Sequence, residues 1–120
     1  MNTKLRGSWG EARAMKYLRD RHYIPVAMGY RSRYGEIDLI VRDERYIVFV
    51  EVKLRKNSSF AEAREFVDRN KQERLRKTAA LWLCANETPL QPRFDVIEIY
   101  APQGAITENP VINHLINAFE

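Results

Sequence analysis

Between Glu36 and Arg55 the chain forms two stretches of alternating character, interrupted only at Asp43-Glu44-Arg45. Alternate residues of a strand share a face. One face of the implied hairpin therefore carries Ile37, Leu39 and Val41 with Val48, Val50 and Val52, is apolar throughout, and is expected to pack on helices. The other face carries Glu36, Asp38 and Ile40, then Ile47, Phe49, Glu51, Lys53 and Arg55. It is apolar near the turn and charged at the far end. If Glu44 and Arg45 form a two-residue loop, paired residue numbers sum to 89, which sets Asp38 opposite Glu51 and Glu36 opposite Lys53. Directly opposed residues have Cβ atoms about 4.5–5.5 Å apart. Two carboxylates that close repel when both are ionised, so a positive group belongs between them. Lys53 is one candidate; a hard divalent cation with oxygen ligands is the other. A slip of one residue destroys the arrangement. The plainer alternative is a salt-bridge ladder on an exposed sheet, which contributes little stability. Ile40, Ile47 and Phe49 on the same face argue against it, because they imply that this face is partly covered.

The flanking sequence supplies the cover. Trp9 to Arg21 has helical periodicity, with Ala14, Met15 and Leu18 on one stripe. Glu11 lies four residues before Met15 and projects along that stripe, where a charge needs a partner or a metal; its place near the helix start also suits the macrodipole. Tyr23 to Tyr30 reads as an edge strand, since Pro25 lacks a ladder donor, and Arg31 to Gly35 as a polar turn. Asn57-Ser58-Ser59 is a loop. A second helix runs from Asp68 or Arg69 to Ala85, with Asp68 as its N-cap. Pro89 and Pro92 keep the following stretch out of that helix, Arg93 to Tyr100 is a fourth strand, and Ile106 to Phe119 is a short strand or terminal segment packed on the core. The order α-β-β-β-α-β describes one mixed α/β domain over residues 1–120, with a helix placed to make a parallel crossover.

Composition narrows the class. A 120-residue domain buries roughly two thirds of its unfolded surface, so no staple is needed. Cys84, the single cysteine, excludes an internal disulfide and a cysteine-rich zinc site, and its apolar neighbours predict burial. The N-terminus does not read as a secretory signal, and the longest apolar run, Ala79 to Ala85, falls far short of the roughly 18 residues of a membrane span. These features predict a cytoplasmic protein with no membrane partner. Residues 1–77 hold 19 Lys/Arg against 11 Asp/Glu, whereas residues 78–120 hold 1 against 5. That asymmetry predicts a basic face toward a polyanion. Its candidate phosphate contacts are Arg69, Lys71, Arg74, Arg76 and Lys77 on the second helix, bordered by Arg31, Arg33, Arg55 and Lys56; the plainer reading is a solvated helix face. His22 and His114 are isolated and fit surface or packing roles.

Gly35-Glu36-Ile37-Asp38-Leu39-Ile40, twelve residues after Asp38, and then Glu51-Val52-Lys53 resemble the D-x(n)-E-x-K signature of PD-(D/E)XK nucleases, with Ile37 where the motif name has proline. Glu11 resembles the extra glutamate of archaeal Holliday-junction resolvases. A wider set of segments is similar to the YraN family of small bacterial proteins: Gly7-Ser8-Trp9-Gly10-Glu11-Ala12, the two hairpin strands, Lys71-Gln72-Glu73-Arg74-Leu75, Arg93-Phe94-Asp95-Val96-Ile97 and Asn117-Ala118-Phe119. Phe60 to Asn70 is longer and more charged than the corresponding family loop. The resemblance implies a restriction-endonuclease-like core, a mixed central sheet flanked by helices. It also implies Mg²⁺ or Mn²⁺ held by Asp38, Glu51, the Val52 carbonyl and Glu11, with Lys53 positioning or deprotonating the attacking water. The expected activity is DNA endonuclease cleavage, of branched or single-stranded DNA among other forms. Two rival readings stand beside it: a catalytically quiet nucleic-acid-binding or scaffold protein, and a subunit active only as a homodimer or with a partner.

Overall fold

The computed structural model of the chain describes residues 3–56 and 68–120. The loop expected at Asn57-Ser58-Ser59, and Phe60 to Asn70 except for its last three residues, lie outside them. The elements run α1 (Thr3–Asp20), β1 (Ile24–Ser32), β2 (Gly35–Arg42), β3 (Tyr46–Arg55), α2 (Arg69–Ala85), β4 (Gln91–Tyr100) and β5 (Val111–Phe119), with a 3₁₀ turn at Gly104–Ile106. The five strands form one sheet in the order β1-β2-β3-β4-β5. β3 and β4 are parallel and every other neighbouring pair is antiparallel. The mixed α/β, restriction-endonuclease-like core is present, with β5 extending the expected order by one strand. No helix among the described residues is long and apolar enough to cross a membrane.

Strand alternation divides the interior into two clusters. Ala14, Met15 and Leu18 of α1 pack with Leu39, Val41, Val48, Val50, Ile97 and Ile99. Leu75, Ala79 and Trp82 of α2 pack with Ile40, Ile47, Phe49 and Val96. The partial cover expected over Ile40, Ile47 and Phe49 is α2. Phe49 meets Trp82 edge-on at 5.9 Å between centroids and Phe94 at 5.6 Å. Burying each such side chain contributes about 1.5–3 kcal/mol, so β3, lined on both sides, is firmly anchored. Both helix ends are built locally. Asp68 caps α2 by accepting the Lys71 N–H at 2.8 Å, as expected. α1 is closed off two residues past Asp20 by His22, whose left-handed φ of 72° lets the N–H groups of His22 and Tyr23 donate back to Arg19 and Leu18.

Two sequence expectations change here. Cys84 is exposed, not buried. The buried stripe of α2 is Leu75, Thr78, Ala79 and Trp82, and Cys84 lies off it. His114 has a specific partner set, beyond a packing role. Its Nε2 lies 2.7 Å from Asp95, and its Nδ1 lies 3.2 Å from the Tyr17 hydroxyl. Arg93 donates to both Asp95 oxygens at 2.9 and 2.8 Å and to the Tyr23 hydroxyl at 2.7 Å, and the Asn117 N–H donates to Asp95 at 3.0 Å. One fully buried carboxylate thus ties α1, β4, β5 and the approach to β1 together. Burial pushes Asp95 up, but the hydrogen bonds from His114 and Arg93 outweigh it and hold the carboxyl below its ordinary range. Its contribution is therefore complete above that ordinary range and is lost as the pH falls through the lowered value. Asp95→Ala, which leaves Arg93 buried without its partner, should cost about 3–5 kcal/mol in urea unfolding at pH 7. A cost below about 1 kcal/mol would show that the network stabilises little.

Candidate metal centre where two strands part

The β2–β3 ladder has the expected register, pairing Arg42 with Ile47, Val41 with Val48, Ile40 with Phe49 and Leu39 with Val50. Asp43 sets it. Its carboxylate accepts the N–H groups of Arg45 and Tyr46, both at 2.8 Å, a side-chain turn that replaces an Asn-Gly signal. The paired register ends at Leu39–Val50. Beyond it the backbones of Asp38 and Glu51 do not face each other as ladder partners. Instead the Asp38 carboxylate reaches across and accepts the Val52 N–H at 2.8 Å.

The break has a second signature. Ile37 belongs to the cluster under α2, not to the face of Leu39 and Val41 where alternation placed it. β1 follows the same change of phase: Ala27 and Tyr30 both pack on the α2 cluster, opposite Ile40 and Ile37. Between the paired residues Met28–Leu39 and Tyr30–Ile37 lies Gly29, with φ at +66°. A glycine there lets both strands turn over at the level of Asp38.

The two acids still meet. Burial, a hydrogen bond to Glu51 and the Glu51 charge push the Asp38 carboxyl up to about 8, even though the Val52 N–H favours its ionised form. Burial also raises Glu51, which is only 5% exposed, but the hydrogen bonds from Asp38 and Lys71 and the nearby ammonium charges bring it below its ordinary value. With Asp38 raised and Glu51 lowered, the pair favours one shared proton and one carboxylate charge. Two lysines face that charge. Lys53 Nζ lies 3.7 Å from Glu51 Oε2, and the Lys71 ammonium is in direct contact with the same oxygen. Burial and the adjacent Lys71 lower the Lys53 amine; burial also opposes the charge on Lys71, but its bonds to Glu51 and Lys53 hold its affinity for the proton above the ordinary lysine value.

The other expected site residues divide. Gly10 lets α1 lie on Leu54, 3.1 Å from where a Cβ would stand, and this close approach sets Glu11 near the end of β3. Burial and the charges of Glu36 and Glu51 raise the Glu11 carboxyl. Among the described residues, however, no three His, Cys, Asp or Glu side chains converge to hold a metal ion, so Glu11 does not complete a third carboxylate ligand beside Asp38 and Glu51. Arg33 and Lys77 flank the Tyr34 ring at 5.0 and 5.3 Å. Arg31 is exposed but bonds Glu36 at 2.6 Å. Arg74, Lys56 and Arg69 are exposed, with Arg74 beside Gly35. Two expected rim cations have other partners. Arg55 turns to the buried Glu98 at 3.6 Å, and Arg76 to the Glu120 carbonyl and Glu73. Lys71, expected as a rim contact, sits inside the site. The cap at Asp68 was its one sequence signal, because it fixes Lys71 in the first turn of α2. A cleft of about 530 Å³ between Tyr46, Pro92, Arg93 and Phe94 shares no residue with this site.

The profile described as "Uncharacterised protein family UPF0102" matches residues 10–99, from the Gly10-Glu11 turn of α1 through both acids to Ile99 of β4. The chain belongs to the UPF0102 family. A UPF0102 protein of Nocardia farcinica is 42% identical over 114 residues, covering 94% of this chain and 87% of the relative. UPF0102 proteins of Acetivibrio thermocellus and Caldanaerobacter subterraneus are each 40% identical, covering 98% and 99% of this chain and 93% and 98% of those proteins. The YraN-type resemblance thus holds over nearly the full chain of this bacterial UPF0102 family.

Two measurements check the geometry. Gly29→Val, which forces a side chain into the left-handed region, should cost about 1–2 kcal/mol in chemical unfolding; no loss would mean that Gly29 does not set the turnover. Asp38 binds its proton more tightly folded than unfolded, so its contribution is present below 3.8 and is lost as the pH climbs toward about 8. Asp38→Asn keeps an acceptor for Val52 and has nothing to ionise. In metal-free buffer its melting temperature should rise relative to the wild type across that window, by about 5 °C or more at the upper end. A difference that stays constant with pH would contradict the shared-proton pair.

Proposed function

We propose that this UPF0102 protein is a metal-dependent endonuclease that hydrolyses DNA phosphodiester bonds, with branched or single-stranded DNA as the first substrates to consider. The observation that carries the reading is the meeting of Asp38 and Glu51 where β2 and β3 part, with Lys53 two residues along on the same strand. Mg²⁺ or Mn²⁺ would be held by the Asp38 and Glu51 carboxylates and the Val52 carbonyl, with Glu11, which does not converge with the two acids, reaching it only through water. Mg²⁺ usually keeps several waters and takes one or two protein carboxylates. When bound, such a cation supplies charge stabilisation at the phosphate and a more acidic water.

The remaining chemistry belongs to the chain. Asp38 is fixed by the Val52 N–H, so its position does not depend on the substrate. Lys53, its amine lowered by burial and by Lys71, is suited to orient the attacking water and take its proton. Arg33, Lys77, Arg74, Lys56 and Arg69 offer phosphate contacts without reading bases, which implies binding that weakens steeply with salt. The second reading is a quiet nucleic-acid-binding or scaffold protein. It is favoured by the contact between Lys71 and Glu51, which neutralises the buried acid without a metal.

A cleavage panel of branched, single-stranded, nicked and duplex DNA with Mg²⁺ and Mn²⁺ separates the two. The nuclease reading predicts cation-dependent cutting of at least one form. It also predicts that Asp38→Ala and Lys53→Ala, checked for folding by circular dichroism, cut about 100-fold or more slowly. DNA binding that ignores the cation, with no cleavage by the wild type as monomer or homodimer, would leave the quiet reading.

A further inference from the structure

We propose that Lys71 is an internal counter-ion which a divalent cation displaces from Glu51, and which then contacts the phosphate to be cleaved. The inference rests on reading Asp38 and Glu51 as a metal centre and assigns a role to a residue outside the D-x(n)-E-x-K signature. Three observations support it. First, Lys71 and Lys53 both address one oxygen, Glu51 Oε2, on a side chain that is 6% exposed. Little room remains for a third cation on that oxygen, and like charges a few ångströms apart repel strongly where water is scarce. One ammonium has to yield.

Second, the two lysines differ in their freedom to do so. Lys53 is on β3, paired with β4 along its length, and its side chain is 21% exposed. Lys71 has its backbone fixed by the Asp68 cap, but its side chain, in the first turn of α2, is 31% exposed. A four-carbon stem on a fixed backbone lets the ammonium swing several ångströms without moving the helix. Third, exposed Arg74 lies one turn along α2 from Lys71, with exposed Lys77 one turn beyond it, so an outward swing carries Lys71 toward the face where a phosphate backbone would arrive. The cation that holds the buried acids together in the resting protein becomes one that holds substrate in the loaded one.

The test measures Mn²⁺ binding to the full-length protein by electron paramagnetic resonance, alongside cleavage. Lys71→Met should bind Mn²⁺ about tenfold or more tightly than the wild type, because the competing charge is gone, yet cleave about 100-fold more slowly because the phosphate loses a contact. In the unmodified protein, acetylation footprinting read by mass spectrometry should show Lys71, and not Lys53, becoming more reactive on addition of Mg²⁺. Equal or weaker Mn²⁺ binding by the variant, or a Lys71 reactivity that Mg²⁺ does not change, overturns the displacement while leaving the metal centre intact. Failure of wild type and variant alike to bind Mn²⁺ overturns the metal-centre reading and this inference with it.

Discussion

The Val52 N–H donates to a side chain where a continuous ladder would supply a backbone carbonyl. A buried amide must find an acceptor, and at this point in the sheet the acceptor is the Asp38 carboxylate, 2.8 Å away. That substitution parts β2 from β3 and draws one acid beside another that is almost wholly buried. Gly29 on the neighbouring strand accommodates the accompanying change of face. Desolvation and like charge together would expel an ionised pair, and the pair is stabilised by one retained proton and two lysines. The chemistry of the site is what remains when a β-ladder is interrupted between two well-packed layers.

The scaffold explains why the interruption does not spread. β3 is packed on one side by α1 and on the other by α2, and it pairs with β4 along its full length. On the α1 side, bonds from His114 and the Asn117 N–H to Asp95 fix β5 to β4, and the Tyr17–His114 bond fixes α1 to β5. Among the described residues the split lies at one end of β2, near the Arg33–Tyr34 turn and the first turns of α2.

Much of this was legible in the residues because strand alternation and turn geometry are local. The register of β2 on β3 followed from the turn at Asp43 to Arg45, the α2 cap from Asp68, and the parallel crossover from a helix between strands. What alternation could not show was its own failure: Ile37 changes face because Gly29 and Asp38 turn over together, a property of two strands at once. Lys71 was visible as a positive charge on a helix, but its contact with Glu51 joins residues twenty apart across two layers. The partners of His114 were hidden for the same reason, since Asp95 meets it only once β5 pairs with β4. Cys84 was misread because an apolar run on a helix does not say which stripe faces the sheet. Membership of the UPF0102 family supports the fold over nearly the whole chain, while the reaction rests on the site.

The central claim is that Asp38 and Glu51 jointly form a cation site. Anomalous diffraction from crystals grown with Mn²⁺ tests it most directly. The account predicts a manganese peak at coordination distance from carboxylate oxygens of both Asp38 and Glu51. A peak bound elsewhere, or no peak at saturating Mn²⁺ with the Lys71 ammonium still seated on Glu51, would contradict it.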